Sequence, residues 1–125
     1  MVPEDLLYSD EHEWVRIDGD IATIGITDYA QEQLGDIVYV DLPAADTDMS
    51  FGAVVGELES TKSVSELYAP VNGKVLSRNE ALEQTPELIN SDPYGEGWLL
   101  KVSLTDADPA ENLISAEKYT SLISG

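Results

Sequence analysis

One lysine sits between two short segments of alternating polarity, in a turn built without turn residues. Before Lys62, the residues Val54, Gly56 and Leu58 alternate with Glu57 and Glu59; after it, Leu67 and Ala69 alternate with Glu66 and Tyr68. A period of two is the pattern of strands with one buried face, so this stretch reads as a hairpin with Lys62 at its tip. The connection Ser60-Thr61-Lys62-Ser63 contains no Gly, Asn, Asp or Pro. Tight hairpins use those residues to reach positive φ, so the rest of the fold must hold this turn. Val64 is out of step with Leu67, which predicts a bulge or a widened turn just after the lysine.

The remaining chain reads as many short strands with small helices. Pro3 to Leu7 is compatible with one helical turn, Pro3 being preset for a first helical position. Glu13–Ile17 and Ile21–Ile26 form a hairpin around Asp18-Gly19-Asp20, with Trp14 as a core aromatic. Thr27 is an N-cap for a short helix over Asp28–Leu34, which Gly35 ends. Asp36 to Leu42 has apolar residues on both faces and so should be covered twice. Pro43 to Met49 reads as a loop. Thr85 followed by Pro86 signals a helix start, and Asp92-Pro93-Tyr94-Gly95-Glu96-Gly97 is a turn cluster. Trp98–Leu104 is the last strand, and Ser115 caps a terminal helix through Ile123. The fold class is mainly β: a flattened β-sandwich or barrel-sandwich hybrid with short peripheral helices and a C-terminal helix. Residues 1–125 make one domain, and that length supports one core without staples.

Composition removes several function classes. There is no cysteine, hence no disulfide, thiolate metal site or thiol nucleophile, and the lone His12 makes a histidine zinc site untenable. The net charge of −19 leaves no basic patch for phosphates, so nucleic acid and anionic membrane surfaces are not partners. No apolar run approaches a membrane span. The N-terminus has neither the basic nor the apolar region of a signal peptide, which points to a cytoplasmic protein. Glu11, His12 and Glu13 resemble an acid–base cluster, but adjacent strand residues face opposite ways and should not converge. Asp106 and Asp108 read as a solvated acidic loop, and Tyr94 and Trp98 as core.

A lysine at a strand tip is commonly a guard; here its surroundings argue otherwise. The hairpin, with Ala69-Pro70-Val71-Asn72-Gly73 turning into a further strand, resembles the lipoyl-lysine hairpin of the lipoyl/biotinyl carrier domains. Biotin carriers flank the lysine with methionines, whereas Thr61 and Ser63 favour lipoate. Within that superfamily the chain resembles the H proteins of the glycine cleavage system. The resemblance is carried by Tyr8-Ser9-Asp10-Glu11-His12-Glu13-Trp14-Val15, Gly25-Ile26-Thr27-Asp28-Tyr29-Ala30-Gln31 and Leu34-Gly35-Asp36-Ile37-Val38-Tyr39-Val40-Asp41-Leu42-Pro43. Pro86-Glu87-Leu88-Ile89-Asn90 and Asp92-Pro93-Tyr94-Gly95-Glu96-Gly97-Trp98 extend it, so that it covers roughly residues 6 to 123. Thr61, where many relatives place an apolar residue, and Glu66, where aspartate is common, are minor departures.

The resemblance implies a set of roles. Lys62 is joined by an amide to lipoate, and Glu59 and Gly73 serve recognition by a lipoate ligase or transferase. The arm takes an aminomethyl group from glycine decarboxylase (P protein), whose pyridoxal phosphate does the carbanion chemistry. It passes the carbon to the tetrahydrofolate-dependent aminomethyltransferase (T protein), and dihydrolipoyl dehydrogenase (L protein) reoxidises it. Glu13 and Glu66 dock the arm. The protein is then a monomeric carrier and not an enzyme. Two alternatives remain at this level: a lipoyl carrier serving lipoate transfer outside glycine cleavage, and an unmodified interaction module.

Overall fold

Local turn chemistry sets the first hairpin. In the computed structural model, which describes residues 2–105 and 108–124, Gly19 takes φ 65° between β2 (Glu13–Asp18) and β3 (Ile21–Ile26), after a short β1 (Leu7–Tyr8). Alternation then splits β2 between two cores. Val15 joins the main cluster and Trp14 a second one, with Trp14 paired opposite Gly25 and Val15 opposite Ile24. A Cβ on Gly25 would come within 2.5 Å of the indole, so glycine leaves the room that Trp14 fills. By the same parity Glu13 faces the side of Val15, towards the interior.

The Thr27 hydroxyl accepts from Ala30 N and caps α1 (Asp28–Leu34), which Gly35 ends at φ 82°. There follow β4 (Ile37–Asp41), β5 (Asp48–Met49), β6 (Val54–Ser60), β7 (Val64–Tyr68) and β8 (Gly73–Arg78). After a 3-10 turn come α2 (Leu88–Ser91), β9 (Leu100–Leu104) and, past a second 3-10 turn, α3 (Ala116–Ser124). Two sheets result: a six-stranded one in the order β1-β2-β3-β9-β8-β5 and a three-stranded one in the order β4-β6-β7. Among the described residues no pairing closes them into a barrel, so the mainly β sandwich expected from sequence is what forms. Ile24, Val75, Leu100 and Val102 from the large sheet meet Leu58 and Leu67 from the small one, all essentially without exposure. On the far side of β1 and β2, α3 brings Tyr119 onto Tyr8, rings stacked at 4.7 Å and 9°.

Several expectations are corrected. The β4 segment is not covered twice, since Val38 and Tyr39 are 51% and 58% exposed; its outer face has no layer over it. Val54 is also exposed, although it keeps step with Leu58, because the register shifts between Val54 and Gly56. That shift lies at the far end of the hairpin from the lysine, and β7 pairs regularly from Val64 onward. Thr85 is not a cap. The short α2 starts after Glu87 without a side-chain cap, and Thr85 N is already bonded to Ala81 O. Residues 4–5 form a hydrogen-bonded turn and no helix, β9 begins at Leu100 and not Trp98, and the loop before Phe51 contains the two-residue β5. Asp106 lies outside the described residues.

Candidate functional site

The turn at Lys62 is held by a hydroxyl of its own first residue and by a carbonyl from outside it. Among the described residues only His12 and Asp46 are non-glycine positions at positive φ, so the lysine turn is made without left-handed residues. Instead the Ser60 hydroxyl, buried, accepts from Lys62 N at 3.3 Å and Ser63 N at 3.0 Å and donates to Ser63 O at 3.1 Å. Thr61 N donates to Asp36 O at 3.0 Å. Asn90 fixes the segment beneath: its side chain donates to Gly35 O and Gln31 Oε1 and accepts from Ile37 N at 2.9 Å. The lysine is exposed, yet its stem runs back over Gly35, where a Cβ would meet Lys62 Cε at 3.3 Å.

Next to Gly35, Leu34 belongs to the wall of a groove of about 260 Å³ between α1, the start of β2 and the lysine hairpin. Its polar lining is Glu11, His12 and Glu13 on one side, Gln33 on α1, and Ser65 and Glu66 on the hairpin; Tyr29 and Leu58 supply apolar surface. Glu13 is 2% exposed. Ser9 Oγ donates to its Oε1 at 2.5 Å and Tyr68 N to its Oε2 at 3.4 Å. Burial nevertheless pushes this carboxyl up to about 8, outweighing both hydrogen bonds, with Glu11 and Asp10 adding to the rise. At neutral pH Glu13 therefore carries its proton most of the time. Glu13 faces inward, because β2 begins at Glu13 and shares its parity with Val15.

The alternation argument fails for Glu11 and His12. Both precede β2, and His12 has φ 71°, which turns the chain so that all three side chains line the same groove. Burial lowers the His12 imidazole below its usual 6.5, against the raising influence of Glu11 and Asp10. Glu66 is exposed at the mouth, its carboxylate accepting from Tyr68 Oη at 3.2 Å. Glu59 is exposed on β6, cross-strand from Tyr39 and Val64. Gly73 belongs to β8 in the other sheet, where a Cβ would meet Ser103 O at 2.4 Å, a packing reason for glycine in itself.

Lys62, Glu13 and Glu66 are thus gathered on one groove and its rim, while Glu59 stands on the exposed strand beside the turn and Gly73 elsewhere. Sequence reasoning passed over Ser60, Ser9 and Asn90, and set His12 aside on strand parity. The missing turn residues were the only hint of Ser60, and Asn90 gave none. Among the described residues no three acidic, histidine or cysteine side chains are arranged to hold a metal, and no helix is long and apolar enough to cross a membrane. The chemistry on offer is an exposed amine on a hydrogen-bonded tip beside a groove lined with carboxyls.

A profile of the Glycine cleavage H-protein family matches residues 6–125. The chain is 53% identical over 123 residues to a glycine cleavage system H protein of Bacteroides thetaiotaomicron, covering 98% of both chains. It is 54% identical over 122 residues to one of Staphylococcus saprophyticus, covering 98% of this chain and 97% of the relative. A crystal structure of a glycine cleavage system H protein from Mycobacterium marinum superposes with a TM-score of 0.91 at 39% identity, over 99% of this chain and all of that one.

Proposed function

The chain belongs to the glycine cleavage H-protein family, and from that premise we propose that it is a lipoyl carrier with Lys62 as its sole attachment point. The observation that supports this most is the tip itself: one exposed lysine on a turn clamped by Ser60 and Asp36, its stem lying over Gly35 at the groove rim. Lys74 and Lys101 lie within strands of the large sheet and Lys118 within α3. The residues present fit lipoate, because acylation removes a charge that forms no ion pair among the described residues and the arm begins beside a groove able to receive it. When bound, lipoate supplies a dithiolane that accepts the aminomethyl group of glycine and yields its carbon to tetrahydrofolate. Glu59, exposed beside the tip, is the side chain a lipoate ligase or transferase reads, and Gly73 contributes through the packing of β8. The partner enzymes are the decarboxylase, aminomethyltransferase and dihydrolipoyl dehydrogenase of the same system.

Glu13 and Glu66 dock the loaded arm, whose end is a protonated amine. Glu66 meets it at the mouth and Glu13 inside, in a setting that keeps water from the labile group. A charge-assisted hydrogen bond contributes about 1.5–3 kcal/mol. Intact mass tests the attachment: protein made with its ligase gains one lipoyl group, and Lys62→Arg folds normally and gains none. Glycine–bicarbonate exchange with the partner decarboxylase tests the role. A mass without the lipoyl increment would leave an interaction module, and lipoate on another lysine would refute the assignment. Docking is tested by spontaneous formaldehyde release from the loaded carrier. Glu13→Gln and Glu66→Gln should release faster than wild type, and equal rates would sink the docking assignment.

A further inference from the structure

One hydroxyl of the C-terminal helix joins two walls of the groove. Tyr119 on α3 is fully buried, and its Oη lies 2.8 Å from His12 Nδ1 and 2.7 Å from Thr27 Oγ1. Thr27 Oγ1 also accepts from Ala30 N at 3.1 Å and so caps α1, the helix that brings Tyr29, Ala30 and Leu34 to the groove. The stack on Tyr8 leaves the Tyr119 ring little freedom. His12 sits at φ 71°, a conformation non-glycine residues keep only when their surroundings over-determine it, and one that clusters at ligand sites. Its ring lies 5.0 Å from Tyr29. Among the described residues its second nitrogen, Nε2, has no hydrogen-bond partner.

We propose that the C-terminal helix is part of the arm-docking site: the Tyr119 hydroxyl positions the His12 ring in the groove wall, and His12 offers Nε2 to the cationic end of the docked arm. This rests on the reading of Lys62 as a lipoyl-lysine. The network allows two directions; in the one proposed, Nδ1–H donates to Tyr119 Oη and Tyr119 donates to Thr27 Oγ1, which leaves Nε2 as an acceptor. Burial keeps the imidazole neutral at neutral pH, and the Tyr119 hydroxyl, pushed up to about 12, keeps its proton. The other titratable groups around the ring are Glu11 and Asp10 on its own loop, Glu13 on β2, Tyr29 on α1 and Glu66 on β7. An ammonium entering the groove therefore meets carboxyls and one imidazole acceptor, and no cation.

Tyr119→Phe deletes only the hydroxyl and keeps the stack on Tyr8. His12→Asn tolerates positive φ but is too short to reach Tyr119. In the unmodified protein, both variants should give the wild-type circular dichroism spectrum. In Tyr119→Phe the NMR titration midpoint of His12 should rise towards 6.5 as water reaches the ring, with shifted resonances for Tyr29, Ala30 and Leu34. In the aminomethyl-loaded protein, each variant should release formaldehyde about three- to tenfold faster, the factor one net hydrogen bond carries. An unmoved His12 midpoint with unmoved α1 resonances overturns the positioning role. Wild-type release from both folded variants overturns the docking role and leaves the lipoyl-carrier reading standing. Wild-type protein that takes no lipoate on Lys62 overturns both. Should Tyr119→Phe fail to fold, His12→Asn decides by its release rate.

Discussion

Replacing Glu13 by glutamine should stabilise the protein, and increasingly so as the pH rises. The carboxyl titrates near 4.5 in the unfolded chain and near 8 in the fold. Between those values the native protein holds a proton that the unfolded chain has released, so native stability falls with pH across this window and the loss is complete above it. At 1.36 kcal/mol for each pH unit, the gap from 4.5 to about 8 amounts to about 5 kcal/mol, of which about 3 kcal/mol has developed by pH 7. Both figures are upper bounds, because water entering the groove relieves part of the burial. Glutamine keeps the size and the acceptor for Tyr68 N, and carries no charge to desolvate. Urea denaturation of wild type and Glu13→Gln, at about pH 4.5, 7 and 8.5, should give nearly equal stabilities at the lowest pH. The variant should lead by about 2–5 kcal/mol at the highest. Every other carboxyl is common to the two proteins, so the difference isolates this one. A gap that does not widen with pH, or a wild type more stable at pH 8.5, would refute the reasoning.

Three further outcomes follow from the same geometry. The melting temperature should rise between low and near-molar sodium chloride, since the net charge is −19 and the fold gains when salt screens self-repulsion; a flat or falling profile in a salt series would count against this. Gly25→Ala should destabilise by about 1–3 kcal/mol in urea melts, because the new methyl meets the Trp14 indole, itself tied to Pro93 O at 2.9 Å. Asn90→Ala strips partners from Gly35 O and Ile37 N and should cost about 1–3 kcal/mol, with faster amide exchange at Thr61, whose acceptor Asp36 O lies between them.

The strand content, the first hairpin, the α1 cap and the lysine hairpin were legible because each depends on contacts between near neighbours in the chain. Thr27 and Gly35 act on residues three and four positions away, and the alternation around Lys62 needs only its own two strands. What stayed hidden depends on distant partners or on exceptions to a period. The outer face of β4 looks like a buried strand until one knows that no third layer covers Tyr39. The convergence of Glu11, His12 and Glu13 was argued away by strand parity, which does not apply to residues ahead of the strand or to a residue at φ 71°. Tyr119 lies 107 positions from His12, and no local signal connects them. The absent turn residues at Lys62 did say that something must hold the tip; which hydroxyl and which carbonyl could only be seen in the fold.

In the docking proposed for the loaded arm, the buried acid Glu13 meets the cation, which makes docking a proton-linked step. With no ligand, Glu13 keeps its proton up to about pH 8, and the groove is spared a buried charge in a molecule already strongly negative. An ammonium docked against it favours the carboxylate and lowers its pKa, so docking expels the proton and becomes more favourable as pH rises through the window between the docked and the empty value. Loaded wild type should then hold its aminomethyl group better, relative to Glu13→Gln, at pH 8 than at pH 6.5. The ratio of the two formaldehyde release rates is the quantity to follow, because the intrinsic pH dependence of the leaving chemistry and any contribution of His12 are shared by both proteins. Full linkage changes the ratio by close to tenfold for each pH unit inside the window; partial overlap with the flanks of the two titrations gives about three- to fivefold over the measured range. A ratio that stays constant with pH would mean that the buried carboxyl does not meet the cation, and would leave the arm to the other polar groups of the groove, Glu66 and His12 among them.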